Sequence, residues 1–167
     1  MNKIAIQNDG KIAICWWFTT YNWVASRYLV RLNSNWSKDT WFNIWTRFGG
    51  FVNALAVQSD GKVIAGGSFT SYSWSTTNRI IRINNDWSKD TSFNIWSWFN
   101  STESVGVLAL AVQSDGKIIV GGDFTNYNWT SINKLVRLNT DWSQDTSLPW
   151  GGSRDHPSEF ASRVESI

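Results

Sequence analysis

A thiol and an imidazole are the raw material of covalent catalysis, and this chain offers one of each, Cys15 and His156. A sulfur nucleophile needs a base or a positive charge beside it to become thiolate. Cys15 lies inside the apolar run "IAICWWF" and His156 in the irregular stretch "GGSRDHPSEF", so no common element brings them together. A single cysteine also builds neither a disulfide nor a thiolate metal site. Oxygen ligands are more plentiful. Asn35, Ser37 and Asp39 alternate along the chain, as do Asp86, Ser88 and Asp90, and Asp141, Ser143 and Asp145. Alternating oxygens are the start of a calcium loop, but the glycine and distal glutamate of the EF-hand pattern are missing. Asx and serine turns, which hydrogen-bond their own backbone, account for the same residues and are the preferred reading. Arg31, Arg82 and Arg137 hold one equivalent position. An anion site is one use for them; the favoured use is structural, pairing with Asp39, Asp90 and Asp145 or with carbonyls of a neighbouring unit. Glu103, Glu159 and Glu165 are the only glutamates, and no carboxylate pair stands out for glycoside hydrolysis. Phosphate loops, nucleophile elbows and histidine metal motifs do not occur. We therefore expect no enzyme, no cofactor and no metal, with the ligand left unknown.

The elements that position these residues come from repetition. Three segments align without internal gaps: "IAIQNDGKIAICWWFTTYNW" onward from Ile4, "LAVQSDGKVIAGGSFTSYSW" from Leu55 and "LAVQSDGKIIVGGDFTNYNW" from Leu110. Such self-similarity is the mark of a repeat architecture. In each unit an apolar run, an Asp-Gly turn and a second apolar run predict a β-hairpin. A third strand is expected at "YLVRLN", "RIIRIN" and "KLVRLN", where period-two alternation puts Val30 and Leu32, Ile81 and Ile83, and Val136 and Leu138 on one face. A short fourth strand is expected through "DTWFNI" and "DTSFNI", and no segment has a helical period. The expected fold is all-β: three tandem propeller-like blades in an incomplete propeller or open array. The units run 1–53, 54–108 and 109–150, followed by an irregular tail, 151–167. Three blades do not close a propeller, so a piece of a larger protein, or an array whose exposed ends pair with further repeats or with other copies, is expected.

Tryptophan is the anomaly, at 13 of 167 residues against four Tyr and nine Phe. Trp23, Trp74 and Trp129 follow Tyr-Asn or Tyr-Ser, and Trp36, Trp87 and Trp142 stand between Asn or Asp and Ser. Chain reversals of this kind call for glycine, because a Cβ disfavours positive φ. The repeats also exchange the two residues directly. Trp16 aligns with Gly67 and Gly122, while Trp45 and Trp96 align with Gly151. Three exposed indoles at equivalent points would make an aromatic platform for sugars. The preferred explanation lies in decoding. The codon UGA is one base from the glycine codon GGA and is read as glycine in some variant genetic codes and as tryptophan in others. A gene using the first code, translated with the second, would give this pattern.

The segments "LAVQSDGKVIAGGSFT", "NRIIRIN" and "DWSKDTSFN" resemble the delta-60 repeat, a β-propeller-like module found in tandem in large bacterial proteins, many of them exported or surface-associated. The resemblance covers residues 4 to about 148. It implies a scaffold with no catalytic residues, and an extracellular or cell-surface location. The repeat has glycine where this chain has the six turn tryptophans.

Bulk properties narrow the partners. A net charge of +2 and a pI near 8.8 arise from scattered Lys and Arg, so no basic stripe points to nucleic acid. No apolar stretch is long enough for a membrane-spanning helix, and the opening "MNKIAIQNDGK" is not a signal peptide. The expected role is a non-catalytic structural or interaction module of a larger bacterial repeat protein, with a protein or glycan partner. The alternative is a glycan-binding or glycan-active propeller whose active part lies outside this chain.

Overall fold

The computed structural model describes residues 3–26, 28–40, 48–93, 99, 106–132 and 134–147. Each repeat folds into the same unit. In the first, β1 (Lys3–Ile6), β2 (Ile12–Cys15) and β5 (Leu29–Leu32) form a sheet in that order, and β3 (Thr20–Tyr21) pairs with β4 (Val24–Ala25) as a small separate hairpin. The second has β6 (Val52–Val57), β7 (Val63–Gly67) and β10 (Ile80–Ile83), with β8 (Ser71–Tyr72) and β9 (Ser75–Thr76) as the small hairpin. The third has β11 (Val107–Val112), β12 (Ile118–Gly122) and β15 (Leu135–Leu138), with β13 (Asn126–Tyr127) and β14 (Thr130–Ser131). Every pairing is antiparallel. Among the described residues there is no helix, and the three blades form an open array.

The first two strands of each sheet form the hairpin that Asp-Gly announces, by a route different from the two-residue turn. Gly10 N–H donates to the Gln7 carbonyl at 2.9 Å and Gln7 N–H to the Lys11 carbonyl at 2.8 Å, while Gly10 takes φ +78°. Asp9 keeps a negative φ and its carboxylate accepts from Lys11 N–H at 3.0 Å. This is a type I turn followed by a left-handed residue, the three-residue hairpin loop. Gly61 and Gly116 repeat it.

The expected third strands are present, whereas the fourth is not seen in the described part of its span. Lys38, Lys89 and Gln144 each make one isolated bridge back to the third strand, and Thr91 and Ser92 are in a turn. The reason is local: Asp90 accepts from the N–H and hydroxyl of Ser92, closing the chain into an Asx turn where a ladder would need it extended. The remainder of "DTWFNI" and "DTSFNI", the tail 151–167, and Trp41, Trp45, Trp96, Trp98 and Trp150 lie outside the described residues. Strands β6 and β11 begin at Val52 and Val107, slightly ahead of the unit boundaries read from the repeats.

Two apolar clusters hold the array together, and both lie between blades. One joins Ala13, Cys15 and Leu29 of blade 1 to Val63, Ala65, Phe69 and Tyr72 of blade 2. The other joins Ile64, Ile80 and Phe93 of blade 2 to Ile118, Val120, Phe124 and Tyr127 of blade 3. A blade of this size has two apolar faces and stabilises itself by stacking. Closeness at the second joint explains a glycine: a Cβ added at Gly66 would collide with the Val107 side chain.

Candidate functional site

The repeated charged residues come together at one end of each sheet. Asp90 Oδ2 accepts from Arg82 Nε at 2.8 Å and from Lys62 Nζ at 2.8 Å. Asp145 has the same partners, Arg137 Nε at 2.8 Å and Lys117 Nζ at 2.7 Å. In blade 1, Arg31 uses Nη2 on Asp39 at 2.7 Å, with Lys11 Nζ at 3.1 Å. The serines that accept from Arg82 Nη2 and Arg137 Nη2, Ser92 and Ser147, are replaced at the aligned position by Trp41, and Arg31 Nη1 donates across the joint to the Asn85 carbonyl at 3.2 Å. Of the two structural partners read from the sequence, the carboxylate serves all three arginines, and the neighbouring blade's carbonyl is added at Arg31.

These carboxylates are occupied. Burial pushes the Asp90 carboxyl up, but the Lys62 ammonium, the hydroxyl and N–H of Ser92 and the Arg82 charge together hold it well below the usual carboxylate range. The Lys117 ammonium, then Ser147, hold Asp145 down similarly. Asp86 and Asp141 accept from the N–H and hydroxyl of Ser88 and Ser143, as Asn35 does from Ser37. Hydrogen bonding to Ser143 also lowers the Asp141 carboxyl. The alternating oxygens thus form Asx turns, and no cluster of potential metal ligands occurs among the described residues.

The same three turns carry tryptophan. Trp36 N–H donates to the Asn33 carbonyl at 2.9 Å and Asn33 N–H to the Ser37 carbonyl at 2.8 Å, with Trp36 at φ +66°. Trp87 and Trp142 repeat this at +65° and +70°. At the small hairpins, Asn22 and Trp23 have φ +47° and +63°, Ser73 and Trp74 +49° and +68°, Asn128 and Trp129 +48° and +66°. Two successive positive φ values define a type I′ turn, whose second place favours glycine. All six tryptophans picked out from the sequence therefore sit in the left-handed region. Positive φ by itself does not mark such a site, because Tyr28, Arg79 and Lys134 share it at a bend before the third strand.

The two sets differ in burial where a preceding blade covers the second: Trp87 and Trp142 are buried, while Trp36 on blade 1 is 64% exposed. Trp23, Trp74 and Trp129 are 97, 85 and 90% exposed, at the tips of their hairpins. Trp87 is 1% exposed, with the Arg31 guanidinium 4.9 Å from its ring centre, and Arg82 sits 5.2 Å from Trp142. Trp16 stands where blades 2 and 3 have Gly67 and Gly122, positions at which a Cβ would strike the carbonyls of Phe51 and Gly106.

Cys15 is fully buried, and that burial raises its thiol to about 11, the reverse of what a nucleophile needs. His156, Glu103, Glu159 and Glu165 lie outside the described residues. A shallow hollow of about 330 Å³ is lined by Ser75, Thr76, Lys89 and Phe93 among others, and its ammonium already donates to the Thr76 carbonyl. No helix among the described residues is long and apolar enough to cross a membrane.

A family model described as "Domain of unknown function (DUF5122) beta-propeller" matches residues 7–42, 58–93 and 113–148. No curated protein matches the chain.

Proposed function

We propose that this chain, which belongs to the DUF5122 β-propeller family, works as a non-catalytic structural and interaction module. The observation that carries the reading is the fate of its repeated polar residues. Arg31, Arg82, Arg137 and their aspartates are absorbed in bonds within and between blades. A repeat array that commits its charged groups to its own frame leaves its surfaces for binding. We extend this to a surface-associated role in a larger bacterial protein of the delta-60 type, contacting protein or glycan. Hydrolase and transferase screens on the purified chain test it: absence of turnover is expected, and turnover abolished by substituting one residue would overturn it.

A second reading is favoured by the exposure of Trp23, Trp74 and Trp129. Flat indoles at the same point of successive blades are suited to the apolar faces of sugar rings. A glycan array probed with the chain and with Trp23→Ala, Trp74→Ala and Trp129→Ala variants separates the two; glycan signal lost in the variants establishes the platform.

The turn geometry supports a decoding origin for the six turn tryptophans. Each stands at a left-handed position that glycine holds at no steric cost. We propose that the source gene carries UGA at these places and that its own translation inserts glycine. The codons decide: UGG at Trp23, Trp36, Trp74 and Trp87 would end the idea.

A further inference from the structure

The two ends of the array expose complementary halves of a joint that the interior makes twice. At each interior joint, one blade offers the face carrying Ala13 and Leu29, or Ile64 and Ile80, all buried. The next blade offers the opposite face, with Phe69 and Tyr72, or Phe124 and Tyr127, equally sealed. On blade 1 the residues equivalent to Phe69 and Tyr72 are Phe18 and Tyr21, and both are only half-buried. Ile4 and Ile6, whose counterparts Leu55 and Val57 pack into the joint with blade 1, are 66 and 67% exposed. On blade 3 the residues equivalent to Ile64 and Ile80 are Ile119 and Leu135, also half-buried. Gly121 shows the same vacancy. Its counterpart Gly66 has no room for a Cβ because Val107 of the next blade presses on it, while a Cβ at Gly121 would meet its nearest neighbour, Ala109 of its own blade, at 3.6 Å.

We propose that a second copy of this chain fills both ends: blade 1 of each copy docks on blade 3 of the other, head to tail, closing a six-bladed ring with two-fold symmetry. This deepens the interaction-module reading and rests on it; the unit that pairs is this chain of three repeats, and blades of a longer protein are the occupant to which a monomer would point. The occupant follows from continuity with the interior joints, since the face that blade 3 presents is the one blade 2 presents to a blade of this repeat. Open head-to-tail contacts either close into rings or run into fibres. Propellers close at roughly four to eight blades, so two copies of three fall inside the range. Arg137 would then lie over Trp36 of the other copy, as Arg31 lies over Trp87 and Arg82 over Trp142 across the interior joints. Trp87 and Trp142 belong to the interior joints, so Trp36 would join the new one, while the aliphatic, Phe and Tyr contacts are the same with glycine or tryptophan in those turns.

Light scattering after size exclusion tests this with the full chain, together with Ile6→Glu on one face and Leu135→Glu on the other. The expected mass is twice 19.1 kDa for the parent and the monomer mass for each variant. Mixing the two variants restores a dimer, because one joint in the mixed pair keeps both its native faces. Circular dichroism of each variant alone shows the parent's β-sheet signal. A monomeric parent at every concentration, a variant pair that does not re-form a dimer, or filaments in place of a closed dimer each overturns the ring. A monomer says that another occupant covers the faces, and it leaves the module reading standing, which only turnover removes.

Discussion

Each blade contains two turns with the same hydrogen-bond frame, one closed by glycine and the other by tryptophan. At Gln58–Lys62 and at Asn84–Ser88 the N–H of the fourth residue donates to the carbonyl of the first, and the N–H of the first donates to the carbonyl of the fifth. In both, the third side chain, Asp60 or Asp86, accepts from the fifth N–H. The fourth residue is left-handed in both, at +83° for Gly61 and +65° for Trp87. The frame therefore sets the backbone angle, and the side chain only sets what that angle costs. Glycine meets it freely, while a residue with a Cβ gives up about 1–2 kcal/mol. The paired turns are also tied to each other. Lys62, just after the glycine turn, reaches Asp90, just after the tryptophan turn, and Asn85 donates to the Asp60 carbonyl at 3.3 Å.

Cutting that tie has the largest expected effect. Asp90→Ala leaves Arg82 and Lys62 without their shared carboxylate and should cost about 2 kcal/mol, between the values of exposed and fully buried pairs. Thermal unfolding followed by circular dichroism should register a drop of roughly 4–8 °C, and an unchanged midpoint would show that the two turns stand independently. Making the turns alike comes next. Gly10→Trp should cost roughly 1–2 kcal/mol, because the added Cβ meets only Ser34 Cβ at 3.7 Å and the penalty is the backbone angle alone. Failure to fold would mean that the frames are not equivalent. The reverse change at an exposed tip, Trp23→Gly, should raise stability by about 1 kcal/mol, or roughly 2–4 °C. A lower midpoint would remove the strain argument.

Acid should act on the tie last and most gently. Asp90 and Asp145 are held below their ordinary 3.8 in the folded chain, so their contribution is complete above that pH. It is lost as pH falls from about 3.8 toward the lower folded values, as linkage requires. Melting curves of the parent should therefore fall off in this window more steeply than those of Asp90→Ala. Parallel curves would show that the carboxylate is not the group responsible.

Much of this was legible along the chain. Apolar runs flanking Asp-Gly located the first two strands of each sheet and period-two alternation the third, and recurrence of Arg31, Arg82 and Arg137 eight residues before Asp39, Asp90 and Asp145 announced their pairing. The turn tryptophans were recognisable as glycine-type positions because local geometry depends on neighbours in sequence. Three features were not legible. The expected fourth strand was pre-empted by the Asp90–Ser92 turn, a contest between a side chain and a ladder that propensity does not resolve. The role of Lys11, Lys62 and Lys117 was missed because the residue that follows an Asp-Gly turn reads as a solvated charge; its repetition in all three units was the available signal. The matching frames of the two turns also went unseen, since the strings "SDGK" and "DWSK" do not look alike until their hydrogen bonds are compared.

By itself the sequence determined the blades: strand periodicity, turn residues and the threefold recurrence are local properties, written within some fifty residues of chain. Only the tertiary structure decided which faces are sealed and which stay open. Phe18 and Phe69 occupy the same place in the repeat, yet one is half-buried and the other sealed. Burial depends on whether another blade stacks there, and that is a property of the assembled array.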